Sequence, residues 1–382
     1  MKAIINGVFI TENDVVTNKA LIYDEDIKGF VDEAEIPENA EIIDANNSYV
    51  IPGMIDLHIH GYAGEDASDG NIEGLCKMAE EIAKNGVTAW CPTVMTISVD
   101  ATIAALDAIR GAKKLSESKE LKGAFVLGAN CEGPFINPEK KGAQNGENII
   151  PPNPELILNQ KDIIRLITMA PEMDKDYAFI KNITKNTDIT VSLGHSSADF
   201  DTAKAAADAG ARNITHLFNA MSPFNHRNPG LAGFGLIDNR VSCELIADTI
   251  HISPSVFEFV HSVKGEKLVL ITDCMRAGGL SDGVYDLGGQ AVTVEGGLCR
   301  LSDNTIAGSV LKLNKALKNF KDNTSCSLPE IVKMATLNAA KVIGEENERG
   351  SIAAGKRADL VILNQDFDVE KTIIGGEICF EN

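Results

Sequence analysis

The chain has 382 residues, of which 44% are hydrophobic, and a formal net charge of −20. This length and composition are typical of a globular protein with a large core, organised as two domains or as one barrel with an appendage. The acidic balance argues against nucleic acid or an anionic membrane surface as the main partner, because either would select a basic face.

The cysteines and the first residues of the chain bear on its compartment. The eight cysteines contain no C-x-x-C pair and are too sparse for a disulfide scaffold in a chain of this length. Residues 1–7 lack the apolar core of a signal peptide, and no segment approaches membrane-spanning length. We therefore expect a cytoplasmic protein without a membrane partner.

Both ends of the chain are rich in short predicted strands. Turn residues separate strands predicted at 2–6, 7–11, 19–23, 27–31 and 41–44, and further strands are predicted at 359–363, 369–374 and 377–380. Because these segments flank the rest of the chain, we expect them to pair. The prediction is one small β-sandwich domain made of residues 1–53 and 346–382.

Residues 54–345 alternate apolar strands with amphipathic helices. Strands are predicted at 55–60, 89–93, 125–132, 164–169, 189–195, 212–216, 243–247 and 268–273, and helices at 75–84, 99–115, 177–186, 199–209 and 254–263. Eight such units favour a (β/α)8 TIM-like barrel. A doubly wound sheet is the alternative, but no glycine fingerprint follows the first strand.

Two segments beyond the eighth predicted strand carry local signals. Residues 278–300 contain three Gly-Gly pairs among alternating residues, which indicates hairpins rather than phosphate loops. Ser327-Leu328-Pro329-Glu330 has the spacing of a capping box and predicts a helix that continues to about residue 343.

Polar residues stand where the predicted barrel strands end, which is where this fold carries its chemistry. His58 and His60 share one face of the first strand, since alternate strand residues point the same way. Later strand units supply a further set of metal-capable residues, namely Glu132, His195, His216, His251 and Asp273. Each of these residues alone could be an ordinary hydrogen-bonding residue. His261, within the helix predicted at 254–263, is outside this set, and we expect it to face solvent. The convergence of the set at one mouth predicts a divalent metal centre.

One Glu and two His with an open position are typical of a catalytic metal site. The open position lets a divalent ion lower the pKa of bound water toward ~7 and supply a hydroxide nucleophile. Asp273 is then placed to take the proton and deliver it to the leaving group, although it could instead orient a histidine. Zinc is favoured, with iron, manganese or cobalt as alternatives, because these ligands suit several ions.

The motifs around these residues carry a family resemblance along essentially the whole chain. They are Gly53-x-x-Asp56-x-His58-x-His60-Gly61, Glu132-Gly133-Pro134-Phe135, Lys141-Gly142-Ala143, Thr215-His216-Leu217-x-Asn219-Ala220-Met221 and Gly355-Lys356-x-Ala358-Asp359-Leu360. In this respect the sequence resembles the N-acetylglucosamine-6-phosphate deacetylases of the amidohydrolase superfamily.

The resemblance implies metal-dependent hydrolysis of N-acetyl-D-glucosamine 6-phosphate to D-glucosamine 6-phosphate and acetate, in amino-sugar catabolism. It implies that Glu132, His195 and His216 hold the main ion and that Asp273 is the general base and then the acid. His58 and His60 would hold a second ion shared through Glu132, so the chain would bind one or two ions.

The resemblance also implies a set of substrate contacts and a homodimer. The contacts are Ala143, Gln144, Asn219, Ala220, Arg227, Asp248, His251, Ile306, Ala307 and Gly308. Arg227 would meet the phosphate and reach across the dimer interface, a role that suits a bidentate guanidinium, although a plain surface arginine is the alternative. Gln144 stands where many members have histidine, and its amide can donate a hydrogen bond but carries no charge.

Two alternatives stay open at this point. The first is another amidohydrolase, such as a dihydroorotase-like or hydantoinase-like enzyme that opens a cyclic amide, or an aryl-group deacylase. Such enzymes often bridge two metals with a carboxylated lysine, and no lysine occupies a comparable strand end here. The second is a non-catalytic scaffold, which has no reason to keep so many polar groups at one mouth.

Overall fold

The computed structural model describes residues 1–382. The strands are β1 Lys2–Ile5, β2 Val8–Ile10, β3 Val15–Val16, β4 Ala20–Tyr23, β5 Ile27–Val31, β6 Glu41–Asp44, β7 Tyr49–Pro52, β8 Met54–Ile59, β9 Gly61–Tyr62, β10 Glu65–Asp66, β11 Val87–Val94, β12 Phe125–Val126, β13 Ala129–Glu132, β14 Ile164–Met169, β15 Thr190–Leu193, β16 Asn213–Ile214, β17 Ser242–Ile246, β18 Leu268–Ile271, β19 Gly283–Leu287, β20 Gln290–Glu295, β21 Leu298–Arg300, β22 Leu360–Leu363, β23 Val369–Ile374 and β24 Glu377–Glu381. The α-helices are α1 Ile72–Ala83, α2 Val99–Glu117, α3 Pro154–Leu158, α4 Ala178–Asn186, α5 Phe200–Ala209, α6 Gly230–Ile237, α7 Phe257–Lys264, α8 Leu313–Asp322, α9 Leu328–Met334 and α10 Leu337–Val342.

Parallel strands form the predicted barrel. The ladder runs from β8 to β11 and then through β13, β14, β15, β16, β17 and β18. The first and last strands meet where Asp273 N donates to His58 O (2.8 Å) and His60 N donates to Cys274 O (2.9 Å). Every residue of β8, β11, β17 and β18 is buried, as expected for parallel strands covered by helices on one face and by the barrel interior on the other.

Two predicted elements are interrupted. The strand predicted at 125–132 divides into β12 and β13, because Gly128 adopts a φ of 147° between them. The single helix predicted from the capping box divides into α9 and α10, although the box itself forms. The break exposes the carbonyl of Ala335, which accepts a hydrogen bond from Ile55 N (2.8 Å) and so ties the helix pair to the first barrel strand.

The two ends of the chain pair with each other. β22 lies antiparallel to β7 within the six-stranded sheet β24-β23-β22-β7-β2-β3, and a four-stranded sheet β5-β4-β1-β6 accompanies it. Ile4 and Leu21 pack with Leu360 and Ile373 in one separate buried core. This confirms a small β domain built from both termini, whereas the limits 1–53 and 346–382 stay a prediction.

Residues 283–300 form the predicted hairpins, as the antiparallel sheet β19-β20-β21. Leu287 and Val292 of this sheet pack on Met95, which follows β11 at the mouth of the barrel. The sheet therefore covers one side of the mouth. None of the helices combines the length and the apolar character required to cross a bilayer.

Candidate active site

The structure brings the six predicted metal and catalytic residues together at the C-terminal mouth of the barrel. Glu132 ends β13, and His195, His216 and Asp273 each lie two residues beyond the last residue of β15, β16 and β18. Their φ angles are 47°, 29° and 49°, in the left-handed region that L-residues rarely adopt. Strained backbone of this kind persists where the surrounding structure fixes it, and it is common at active sites.

The Glu132 carboxylate lies among four imidazoles and is buried. Its Oε1 is 3.0 Å from Nε2 of His195, 3.0 Å from Nε2 of His216 and 3.3 Å from Nε2 of His58. Its Oε2 is 3.3 Å from Nε2 of His60. All four histidines thus present the same ring nitrogen to one carboxylate.

The outer ring nitrogens decide which tautomers are present. Nδ1 of His60 lies 3.1 Å from the carbonyl of Thr93, and Nδ1 of His195 lies 2.8 Å from the carbonyl of Lys140. A carbonyl only accepts, so Nδ1 is the donor in both rings and a neutral ring turns the Nε2 lone pair toward Glu132. Lone pairs facing a carboxylate repel it unless a cation lies between them. The arrangement therefore calls for protons or a metal ion at its centre.

The pKa shifts of His60 and Glu132 also indicate that positive charge is needed at the centre. Burial acts to lower the pKa of His60, but contacts with Asp273 and Glu132 outweigh it and raise that pKa to about 9. Burial acts to raise the pKa of Glu132, and the charges of His195 and His58 instead hold it well below the usual range. Without a metal, a positive charge on His60 beside the ionised Glu132 therefore stabilises the centre.

Two overlapping groups of residues could hold a metal ion. One is His58, His60 and Glu132, and the other is Glu132, His195 and His216. The Nε2 atoms are 3.3 Å apart in the first histidine pair and 3.0 Å apart in the second. Two nitrogens bound to one zinc ion in tetrahedral geometry lie about 3.3 Å apart. Donor type and spacing therefore fit a divalent ion in each group, with Glu132 common to both.

Asp273 lies beside the first group and opens onto the cavity at the mouth. Its Oδ1 is 3.3 Å from Nε2 of His60 and 3.7 Å from Nε2 of His58. Burial acts to raise the pKa of Asp273, but the hydrogen bond from His60 and the nearby histidine charges lower it. An ionised carboxylate at this place can accept a proton.

Gln144 holds the Glu132 carboxylate from the side. Its Oε1 accepts a hydrogen bond from Thr96 N (2.7 Å), so its amide nitrogen is the atom that donates to Oε2 of Glu132. Thr96 Oγ1 also donates to the Glu132 carbonyl (2.8 Å). The side-chain hydrogen bonds of Gln144 thus go to Glu132, a metal-ligand candidate, and to Thr96, which itself donates to Glu132.

The mouth contains a cavity of about 570 Å³. The residues predicted as substrate contacts that line it are Ala143, Gln144, Asn219, Ala220, His251, Ile306 and Gly308. Asp248 does not line the cavity but contacts a residue that does, because its Oδ2 is 2.6 Å from Nδ1 of His251. Burial opposes a charge on His251, and this contact outweighs it and raises its pKa. Ala307 is buried beside the cavity and does not line it.

Arg227 is not brought to the cavity of its own chain. It is exposed in the loop between Met221 and α6, and its backbone N–H donates to Asn225 Oδ1 (2.9 Å). Arg227 therefore does not join the residues that line the cavity in its own chain. The cations that do line the cavity are Lys140 and Lys141, which the sequence analysis did not assign.

Glu244 is a further residue that the sequence analysis missed. It is buried within β17, where its Oε2 lies 3.1 Å from His58 Nδ1 and its Oε1 accepts from Asn213 Nδ2 (2.7 Å). The signal was a carboxylate inside an otherwise apolar buried strand. Its partner could not be read from the sequence, because β17 and β8 are far apart along the chain.

The expectation for His261 was wrong. Its Nδ1 lies 3.1 Å from Cys326 Sγ and its ring packs edge-on against Phe320, so it is half-buried against the helices rather than turned to solvent.

The comparisons with known proteins agree with this geometry. The model of the amidohydrolase family matches residues 49–379. The N-acetylglucosamine-6-phosphate deacetylase of Bacillus subtilis (strain 168) is 41% identical over 97% of this chain and 95% of its own length. The chain belongs to the N-acetylglucosamine-6-phosphate deacetylase branch of the amidohydrolase family. The resemblance found in the motifs is thereby confirmed.

Solved structures of this branch share the fold over their full length. The N-acetylglucosamine-6-phosphate deacetylase of Pasteurella multocida superposes with a TM-score of 0.94 at 32% identity, covering 100% of both chains. A mutant of the Mycobacterium smegmatis enzyme, solved in complex with N-acetyl-D-glucosamine-6-phosphate, superposes with a TM-score of 0.88 at 28% identity, covering 99% of both chains. The TIM-like barrel and the hydrolase class are confirmed.

Proposed function

We propose that this deacetylase-branch protein hydrolyses the acetamide of N-acetyl-D-glucosamine 6-phosphate to D-glucosamine 6-phosphate and acetate. The observation that carries the proposal is Glu132 set between two histidine pairs, with an ionised Asp273 opening onto the cavity. The solved neighbour that contains this sugar phosphate supports the choice of substrate.

The metal would be held by Glu132, His195 and His216, and a second ion by His58, His60 and the shared Glu132. When bound, a divalent ion supplies Lewis-acid chemistry that polarises the amide carbonyl and makes water nucleophilic near neutral pH. Zinc is our first choice and iron, manganese and cobalt are alternatives, since imidazole and carboxylate ligands suit all four.

The side chains of the mouth would then handle the proton and the substrate. Asp273 accepts the proton of the attacking water at its carboxylate, and it returns that proton to the amide nitrogen as the C–N bond breaks. The hydrogen bond from Gln144 holds the Glu132 carboxylate in position between the two histidine pairs. Asn219, His251 and the backbone around Gly308 line the cavity where the sugar would lie.

The phosphate needs dedicated cations in a chain with a net charge of −20. We propose Lys140 and Lys141 from the same chain and Arg227 from a neighbouring chain, in a homodimer. The exposed position of Arg227, away from its own cavity, supports this arrangement. We also propose a cytoplasmic location. All eight cysteines are free thiols, which supports this proposal.

Neither alternative gains support from the site. A carboxylate, Glu132, occupies the position between the two histidine pairs where a ring-opening amidohydrolase often has a carboxylated lysine. The ligand set is complete, which gives no support to a scaffold that has lost its chemistry.

The test is an acetate-release assay after chelation and dialysis. N-acetylglucosamine 6-phosphate, its galactosamine and mannosamine counterparts and unphosphorylated N-acetylglucosamine are each supplied with zinc, manganese or iron. We expect no turnover without added metal and the highest kcat/KM for N-acetylglucosamine 6-phosphate. If none of the metals supports acetate release from N-acetylglucosamine 6-phosphate, the proposal is refuted.

A further inference from the structure

A second cavity, of about 420 Å³, lies at the other end of the barrel, between its outer surface and the terminal sheets. It is lined by the segment that follows α2, by Phe125 at the start of β12, by Arg357 and by residues of β23 and β24. It shares no residue with the cavity at the catalytic mouth. The deacetylase chemistry does not explain its lining.

Arg357 is the unusual residue in this cavity. Its guanidinium donates no hydrogen bond within the chain, and its Nε is buried without a partner. The nearest carboxylate oxygen, Oδ2 of Asp359, is 3.6 Å from Nε, which is within ion-pair distance but too far for a hydrogen bond. Asp359 is already engaged, because it accepts from Arg349 and from Gly375 N (2.7 Å). Arg357 therefore lines the cavity with Nη atoms that donate no hydrogen bond within the chain.

The structure holds this guanidinium in place. Its Cζ lies 5.5 Å from the centroid of the Phe125 ring, which also stacks with Arg349 at 4.5 Å. A cation over an aromatic face is held by the ring quadrupole while its donors stay free. A Cβ at Gly375 would come within 2.9 Å of Nη2 of Arg357, so glycine keeps the space beside the guanidinium open.

The remaining charges leave the cavity with a surplus of cations. Glu25 pairs with Lys119 (2.8 Å), and Glu377 pairs with Lys2 (2.8 Å). Lys122 has no carboxylate within ion-pair distance in the chain. Lys122 is therefore unpaired, and Arg357 shares its one carboxylate, Asp359, with Arg349.

We propose that this cavity binds a small organic oxyanion through a carboxylate or phosphate group. Arg357 would bind two oxygens of the group side by side, and Lys122 would supply a second charge. Leu121, Ile374 and Ile378 also line the cavity and would contact the apolar part of the ligand. The proposal does not depend on the reaction catalysed at the mouth.

Cys379 reports on occupancy of this cavity alone. It is exposed and lines the cavity, whereas Cys76 on α1 is half-buried elsewhere and serves as the internal reference. The experiment measures the alkylation rate of each thiol by mass spectrometry, with inorganic phosphate, acetate or chloride at equal ionic strength. We expect phosphate, acetate or both to slow alkylation of Cys379 several-fold in a saturable way, while Cys76 is unaffected and chloride has no effect. Protection by only one of the two anions identifies the head group.

Three variants complete the test. Arg357→Gln should abolish the protection and Lys122→Gln should weaken it, whereas Lys185→Gln, a change of an exposed lysine on α4 outside the cavity, should leave it intact. If Arg357→Gln does not fold, Lys122→Gln decides. Absence of protection in the wild type, equal protection by chloride, or full protection in the cavity variants would overturn the proposal.

Discussion

Glu244→Gln should selectively weaken the ion at His58 and His60. The carboxylate of Glu244 contacts three buried donors: His58 Nδ1 at 3.1 Å, Asn213 Nδ2 at 2.7 Å and the backbone N–H of His216 at 3.3 Å. Glutamine offers one acceptor oxygen in place of two, and its amide nitrogen would face another donor. The variant leaves Asn213 Nδ2 facing the new amide nitrogen, or Asn213 turns so that its unpartnered Oδ1 accepts from that nitrogen. In both cases His58 loses its ionised partner.

The size of the effect follows from that loss. A buried donor left without a partner costs about 1–3 kcal/mol, which corresponds to roughly 5–150-fold in an equilibrium constant. Replacing a group that orients a metal-bound histidine typically lowers metal affinity about 10–100-fold. We expect a loss in this range for the ion at His58 and His60, and a much smaller one at His195 and His216, where Glu244 touches only one backbone N–H.

The assay is equilibrium dialysis of metal-free protein against zinc or manganese, with elemental analysis of the bound ions. Glu266→Gln is the matched control, because this carboxylate is exposed and contacts only lysines, each at 3.5 Å. Thermal unfolding of the metal-free variants checks that the fold is kept. A wild type that binds only one ion, wild-type affinities in Glu244→Gln, or equal weakening of both ions would refute the reasoning.

Four further predictions concern the mouth. Asp273→Asn should keep the metal content and lower kcat by about 10²–10⁴-fold, because it removes the proton acceptor. Elemental analysis and the acetate assay measure the two quantities, and near-normal turnover would rule out this role for Asp273. Gln144→Ala should lower both metal affinity and kcat, since Glu132 loses its lateral donor, whereas unchanged dialysis curves would remove Gln144 from this role. Arg227→Ala should raise KM for N-acetylglucosamine 6-phosphate far more than for the unphosphorylated sugar, and an equal loss on both would contradict phosphate binding. His60 has a pKa raised to about 9 in the metal-free protein, so its stabilising charge is complete below the unfolded value of about 6.5 and is lost as pH rises through about 9. Chelated protein should therefore lose stability over that range in denaturant titrations, while its affinity for divalent ions increases as the competing proton leaves; an affinity independent of pH would argue against ligation by His60.

The sequence by itself determined the fold class and most of the candidate metal centre. Eight apolar strands between amphipathic helices leave few arrangements other than a barrel, and parallel strands bring their C-terminal ends to one mouth. His58, His60, Glu132, His195 and His216 were therefore recognisable as one site, since each stands at such an end. The pairing of the two chain ends followed in the same way from strand-rich termini that flank the barrel, although β7, the strand that pairs with β22, was not among the predicted strands.

Only the tertiary structure decided how those residues are held and which others join them. The contact of Gln144 with Glu132 depends on the path of the loop between them, and the contact of Glu244 with His58 joins strands far apart in the chain. The surroundings that leave Arg357 Nε without a hydrogen bond likewise form only in the folded protein. Local propensity and spacing carry no information about such contacts, because register, loop path and side-chain direction arise only when the whole barrel closes. For the same reason the helix after Ser327 was predicted as continuous, whereas the closed barrel uses the Ala335 carbonyl at its break to bind the first strand.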